Sequence, residues 1–239
     1  MKFLFIVGCG HSGTSLMLAI FANCAGTHAI TNETEALLEG PIKKFKDKFK
    51  TFEKTNIKLI VEKTPRHIHR LDQITSDKDA SALIMLRNPV DVVASLKKRG
   101  FSLSQSIQRY KRDNTAWLDY ASSENIQVVK YEALVQKTNA VLKILRQTYG
   151  VDLISANKKR LSDKRVYFTQ HGATKIDETD GKGHINHLAL RNFQIRQTVT
   201  NMNGLWRDRL TSDELAIVIQ ELRVLISKFD YEECFDYKI

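Results

Sequence analysis

The sequence is poor in cysteine, and the few it has are scattered. Cys9, Cys24 and Cys234 are the 3 cysteines among 239 residues, odd in number and with no C-x-x-C pair. That excludes a disulfide framework and a zinc site of paired cysteines, and it points to a reducing compartment. The 3 prolines and 11 glycines exclude a fibrous or linker-dominated chain. No apolar run approaches the roughly 20 residues that span a bilayer. The apolar stretch Phe3 to Val7, after Lys2, is interrupted by Gly8-Cys9-Gly10-His11-Ser12-Gly13, too early for the h-region of a secretory signal. Ala22-Asn23-Cys24 only faintly resembles a lipoprotein cleavage site. The start is therefore read as a buried first strand, and the expected location is cytoplasmic. Repeats and low-complexity tracts are also missing. His184 and His187 are three apart, but no clear third ligand follows, so no metal is expected. Acid is in deficit: 27 Asp+Glu stand against 37 Lys+Arg, a formal net charge of +10. Such a balance suits an anionic partner without choosing among nucleotides, nucleic acid, acidic glycans and lipid surfaces, and equally suits a protein with a basic surface.

What is present is an alternation. Apolar runs of strand length at 2–7, Lys58 to Val61, Ala80 to Leu86 and Ile126 to Lys130 are separated by helical patterns. A short extended piece is expected from His28 to Thr31. Helices are expected at 13–23, 33–54, Val90 to Lys98, Leu103 to Ser122, Ala133 to Thr148, about 188–202, and from Ser212 onward. Alternation of this kind predicts an α/β fold, a central parallel sheet flanked by helices in three layers. The length suits a single domain, 1–239. The polar stretch 157–187, with Gly172, Gly181 and Gly183, is the longest irregular region and a candidate lid or acceptor loop.

The loop Gly8-Cys9-Gly10-His11-Ser12-Gly13-Thr14-Ser15 joins the first strand to the first helix. Backbone N–H groups at a helix N-terminus favour a phosphate-like anion. Two motifs overlap here. Gly8, Gly10 and Gly13 satisfy the dinucleotide fingerprint G-x-G-x-x-G, and Glu33 lies 20 residues past Gly13, where a ribose-binding carboxylate can sit. The same glycines have the spacing of a P-loop, but Thr14 stands where an NTPase needs its lysine. A tight turn with no ligand would look no different. The loop alone leaves these readings open.

Three further segments narrow them. Val61-Glu62-Lys63-Thr64-Pro65-Arg66-His67 follows a strand, and Leu86-Arg87-Asn88-Pro89-Val90-Asp91-Val92-Val93-Ala94-Ser95-Leu96 runs from a strand into a helix. Val129-Lys130-Tyr131-Glu132-Ala133-Leu134-Val135 does the same. Together with the His-Ser-Gly-Thr-Ser loop, in this order, they resemble the sulfotransferases that use 3′-phosphoadenosine-5′-phosphosulfate (PAPS), closest to the branch of tyrosylprotein and bacterial enzymes. The resemblance covers about 3–135 and, more weakly, 204–231.

The resemblance implies a P-loop-like fold and direct in-line sulfuryl transfer from PAPS to a hydroxyl or amine acceptor, without a metal. It implies that Gly10, His11, Ser12, Gly13, Thr14 and Ser15 wrap the 5′-phosphosulfate. Arg87, Ser95 and Tyr131 would hold the 3′-phosphate, the planar fork of arginine suiting that group. Lys63 would steady charge on the leaving phosphate, and Glu33 would be the base that takes the acceptor's proton, with Glu35 its rival. Each residue also has a plainer reading. Arg87 suits a surface ion pair, Tyr131 a packing role, Lys63 solvation, and Glu33 a helix-start acid. His11 takes the catalytic position that helps hold the sulfuryl group but departs from the pattern, which carries Arg or Lys there; a protonated histidine would restore the charge and a neutral one would not. Lys182, Arg191 and Arg196 are candidates to close over the nucleotide. The expected partners are the donor and an unidentified acceptor: a sugar, a lipid, a small alcohol or phenol, or a peptide. The competing functions are a dinucleotide-binding oxidoreductase, a small-molecule kinase and a binder that kept the fold without activity.

Overall fold

The computed structural model of the chain describes residues 1–162 and 201–234. Five parallel strands form one sheet: β1 (Lys2–Gly8), β2 (Thr27–Ala29), β3 (Leu59–Glu62), β4 (Ala80–Leu86) and β5 (Ile126–Lys130). Their order is β2-β3-β1-β4-β5. Apart from Lys2, Glu62 and Ser81, the central strands are apolar because both faces are covered. Side chains alternate along them. Phe3, Phe5, Val7, Ala82, Ile84 and Leu86 enter one core, while Leu4, Ile6, Leu83 and Met85 enter the other.

The first core is roofed by α5 (Pro89–Lys97), α6 (Leu103–Thr115) and α10 (Ser212–Lys228). The second is roofed by α1 (Thr14–Phe21), α8 (Thr138–Tyr149) and α9 (Leu153–Ser162). These are the expected three layers of an α/β fold. Helix α10 opens on a capping box, in which Thr211 Oγ1 accepts from Glu214 N–H and Glu214 reaches back to Thr211 N–H.

The sheet order decides between the two motif readings of the first loop. A dinucleotide-binding half places its second strand directly beside its first. Here β3 takes that place and β2 lies beyond it. The first loop therefore emerges between the ends of β3 and β4, and β3 is followed directly by Lys63, β4 by Arg87. Ligands of open α/β sheets bind at such strand ends.

Several expected boundaries move. The long helix at 33–54 is broken into α2 (Ala36–Glu39), α3 (Ile42–Asp47) and a 3-10 turn (Lys50–Lys54). The cause is Gly40-Pro41: the residue before proline is driven to extended backbone, and Gly40 sits at φ −177°. The helix at 133–148 divides into α7 (Tyr131–Gln136) and α8, because Lys137 leaves helical backbone at φ −129°. Helix α6 ends at Thr115, and a 3-10 turn (Leu118–Tyr120) follows once Trp117 has stacked on Phe229 at 5.4 Å. Residues 157–162, expected to be irregular, complete α9. The remainder of the candidate lid, and with it Lys182, Arg191, Arg196, His184 and His187, lies outside the described residues, as does most of the helix expected at 188–202.

Candidate functional site

The site begins with the fit of β1 against β4. Gly8 pairs with Met85, and a Cβ on Gly8 would lie 2.6 Å from the Met85 carbonyl oxygen. Only glycine allows that approach. Beyond it the chain turns: His11 takes left-handed backbone at φ 73°, and Gly13 does so at φ 93° as the residue that opens α1. No side-chain hydrogen bond caps α1. Its first backbone N–H groups therefore point into the loop, as an anion site requires. Ser12 and Thr14 are buried in this loop; Gly10, His11, Gly13 and Ser15 are half-buried.

On the β4 side the loop meets Arg87. This arginine donates from Nη1 to the His11 carbonyl oxygen at 3.1 Å and from Nη2 to the Met202 carbonyl oxygen at 2.6 Å. Its guanidinium lies over the Tyr131 ring, 4.5 Å from the centroid. Its Nε is buried and has no hydrogen-bond partner among the described residues. A Cβ on Gly13 would lie 2.7 Å from the Tyr131 ring, so the tyrosine fills the space beside the loop. Burial pushes the Tyr131 hydroxyl above its usual pKa, against the opposing pull of Arg87. Thus His11, Gly13, Arg87 and Tyr131 are in direct contact. Ser95 sits half-buried two turns into α5.

The segment after residue 200 completes this side. Asp91, buried in α5, accepts from the Gly204 N–H with both carboxylate oxygens at 3.1 Å. That bond holds the turn whose Met202 carbonyl faces Arg87. Below it, Tyr110 donates to the Arg87 carbonyl oxygen at 3.0 Å. Glu132 accepts from Asn88 N–H at 2.9 Å and from the Tyr231 hydroxyl at 2.8 Å.

On the β3 side stands Lys63, only 1% exposed, ion-paired with Glu33, whose side chain is 32% exposed. The pair is placed by a buried network. Glu62 Oε1 accepts from Thr34 N–H at 3.2 Å, Thr34 Oγ1 at 3.0 Å and Thr64 Oγ1 at 2.5 Å. Its Oε2 is 3.1 Å from His67 Nδ1, and His67 Nε2 accepts from Leu37 N–H at 3.2 Å. The latter bond assigns the tautomer with its proton on Nδ1. One fully buried acid and one fully buried histidine so fasten the stretch Thr34–Leu37 to the end of β3. Glu33 lies in the loop just before that stretch, not in a helix. Glu35, the rival, has left-handed backbone at φ 51° and turns outward to Arg66 at 3.1 Å.

The sequence pattern did not single out Glu62, His67 or Asp91. The available signal was their type: an acid ending an apolar strand and another facing inward from an apolar helix must be paired to be buried. Among the described residues, no group of three or more His, Cys, Asp or Glu side chains could hold a metal. None of the described helices is long and apolar enough to cross a membrane.

No protein-family profile and no characterised protein sequence matches the chain. Solved structures do. The sulfotransferase domain of the Synechococcus PCC 7002 olefin synthase superposes with a TM-score of 0.60 at 16% identity, over 100% of this chain and 96% of that one. Mouse sulfotransferase SULT7A1, complexed with PAP, gives 0.59 at 13% identity, over 98% and 86%. Retinol dehydratase, in complex with androsterone and inactive cofactor PAP, gives 0.53 at 9% identity, over 100% and 83%. The order of the strands, the flanking helices and these superpositions agree: the chain has the sulfotransferase fold.

Proposed function

We propose that the chain is a sulfotransferase that passes a sulfuryl group from PAPS to a hydroxyl acceptor in one in-line step. One observation carries the reading: an uncapped loop at the N-terminus of α1 lies between a buried lysine at the end of β3 and an arginine at the end of β4, and a carboxylate already touches that lysine. The residues suit the donor. Arg87 has a buried Nε without a partner among the described residues, and two phosphate-bearing ends need two cationic grips.

In this reading Gly10 to Ser15 present N–H and hydroxyl groups to the phosphosulfate. Arg87, Tyr131 and Ser95 face the 3′-phosphate. Glu33 takes the proton of the acceptor hydroxyl as its oxygen bonds to sulfur. The bond from sulfur to the bridging oxygen breaks, and Lys63 lies beside the phosphate oxygen that gains charge. The product nucleotide is 3′-phosphoadenosine-5′-phosphate (PAP). Glu33 and Lys63 are paired with each other here, so the donor must separate them before either acts. Two of the superposed proteins are complexed with PAP, which supports this choice of nucleotide.

The test is calorimetric titration of PAP into wild type, Arg87→Ala and Arg87→Lys, with NADH as control. Binding to wild type, about 100-fold weaker in Arg87→Ala and partly kept in Arg87→Lys, is expected for a charge-assisted fork. Circular dichroism checks the fold of each variant, since Arg87 also holds two backbone carbonyls. Absence of PAP binding to folded wild type, or binding of NADH in its place, would overturn the proposal.

A further inference from the structure

Position 11 carries histidine where the sulfotransferase resemblance implies a permanent cation. His11 also spends its carbonyl on Arg87 and holds left-handed backbone. A second arginine reaches the same loop from a different element. Arg109 lies on α6, and its Nη2 is 3.0 Å from the point a Cβ on Gly10 would occupy. The backbone of Gly10 is outside the left-handed region. Its turn does not demand glycine, and the absence of a side chain there leaves room for the guanidinium to pack against the loop.

Three observations describe how this charge is held. Its acidic neighbour is Asp113, one turn on, whose Oδ2 lies 3.6 Å from Nε, an ion pair too long for a hydrogen bond. That carboxylate is shared: His69 Nε2 lies 2.9 Å from its other oxygen, Oδ1, and Arg112 contacts Oδ1 from Nε at 3.1 Å and Nη2 at 3.0 Å. Arg109 Nε is buried without a hydrogen-bond partner among the described residues. The guanidinium is held over the Phe101 ring at 5.6 Å, with the side chain 30% exposed. It is packed against the loop at Gly10 and partly exposed.

We infer that Arg109 is a positioning residue of the donor site, supplying from α6 the fixed positive charge beside the phosphosulfate loop that position 11 lacks. The inference rests on the proposed function. A loop that gathers two anionic groups gains from a nearby cation in a partly dehydrated setting, where the field is weakly screened. Arginine keeps its charge at every working pH, so Arg109 frees the site from the protonation state of His11.

The experiment titrates PAP into wild type, Arg109→Gln, Arg109→Lys and the double variant Arg109→Gln/His11→Arg, at low and at physiological salt. Arg109→Gln is expected to weaken PAP about tenfold, the size of one well-placed charge interaction, and to flatten the salt dependence. Arg109→Lys should keep most of the affinity, and the double variant should regain it, since His11→Arg returns a cation to the loop from its own backbone. A merely structural prop would not be rescued from position 11. Affinity of Arg109→Gln within twofold of wild type overturns the inference. So does equal loss in the Gln and Lys variants, or a folded double variant with no recovery. Wild type that fails to bind PAP ends the proposed function and takes this inference with it. Binding in wild type that ignores Arg109 ends the inference alone.

Discussion

Replacing Glu33 by glutamine should move three quantities in different directions. Breaking a well-buried ion pair costs about 3–5 kcal/mol. Here Lys63 is 1% exposed but Glu33 is 32% exposed, and an amide oxygen still accepts from the ammonium. The cost falls to about 1.5 kcal/mol, or about 3–6 °C in Tm for a domain of this size. The donor site gains what the pair gives up. Lys63 no longer has to leave a carboxylate to meet a phosphate, and release of about 1 kcal/mol tightens PAP roughly fivefold. Turnover falls about 10²–10⁴-fold if Glu33 takes the acceptor's proton. Thermal unfolding, calorimetry with PAP and a sulfuryl-transfer assay read the three in one preparation. Glu35→Gln is the control. Its carboxylate is exposed and turned to Arg66, and it should change none of them appreciably. A Glu33→Gln protein that binds PAP more weakly, or turns over normally, would refute the reasoning. An effect of Glu35→Gln on turnover with none from Glu33→Gln would transfer the role.

Three further outcomes follow from the same geometry. Gly13→Ala forces a Cβ to within 2.7 Å of Tyr131 at φ 93°; it should cost about 1–3 kcal/mol in urea unfolding and abolish measurable PAP binding, and an alanine variant that binds normally would show the loop to be slack. Glu62→Leu strands the Thr34 N–H and the His67 Nδ1–H in the core, at about 1–3 kcal/mol each; a urea midpoint close to wild type would show that the network is replaceable. Asp113 sits below the usual carboxylate pKa; burial acts to raise it, and His69 and Arg112 outweigh burial. Its folded pKa is thus below its unfolded value of about 3.9. Between the two, the unfolded state holds the proton and the folded state does not, so stability rises with pH there. The contribution is full above the unfolded pKa and disappears as pH falls through the folded one. Asp113→Asn should flatten stability against pH below about 4, and parallel curves for variant and wild type would refute the assignment.

The candidate site was partly readable because strands and loops leave local marks. The apolar runs of β1, β3 and β4 declare burial on both faces, and the first loop, Lys63 and Arg87 stand at their ends in the sequence itself. What local pattern could not convey was adjacency. Nothing in the spacing of Glu33 and Lys63 says they touch; that depends on β3 lying beside β1, with β2 pushed to the edge. The long helix expected at 33–54 failed for a local reason, since apolar spacing was weighed above Gly40-Pro41. The Asp91–Gly204 bond and the seat of Arg109 against Gly10 were invisible because they join distant parts of the chain through single groups, which produce no periodicity.

The grip of Met202 on Arg87 spans 115 residues, and that of Gly204 on Asp91 spans 113. At a synthesis rate of about 5–20 residues per second, the ribosome needs on the order of ten seconds between Arg87 and the carbonyl that completes its setting. During that interval a nascent chain can pair β1, β3 and β4 and form the loop, yet leave the arginine without one of its backbone partners. On the proposed function, competence for nucleotide is a late event in the making of the protein, and PAP added during refolding would mark the moment at which the segment after residue 200 reaches Arg87 and Asp91.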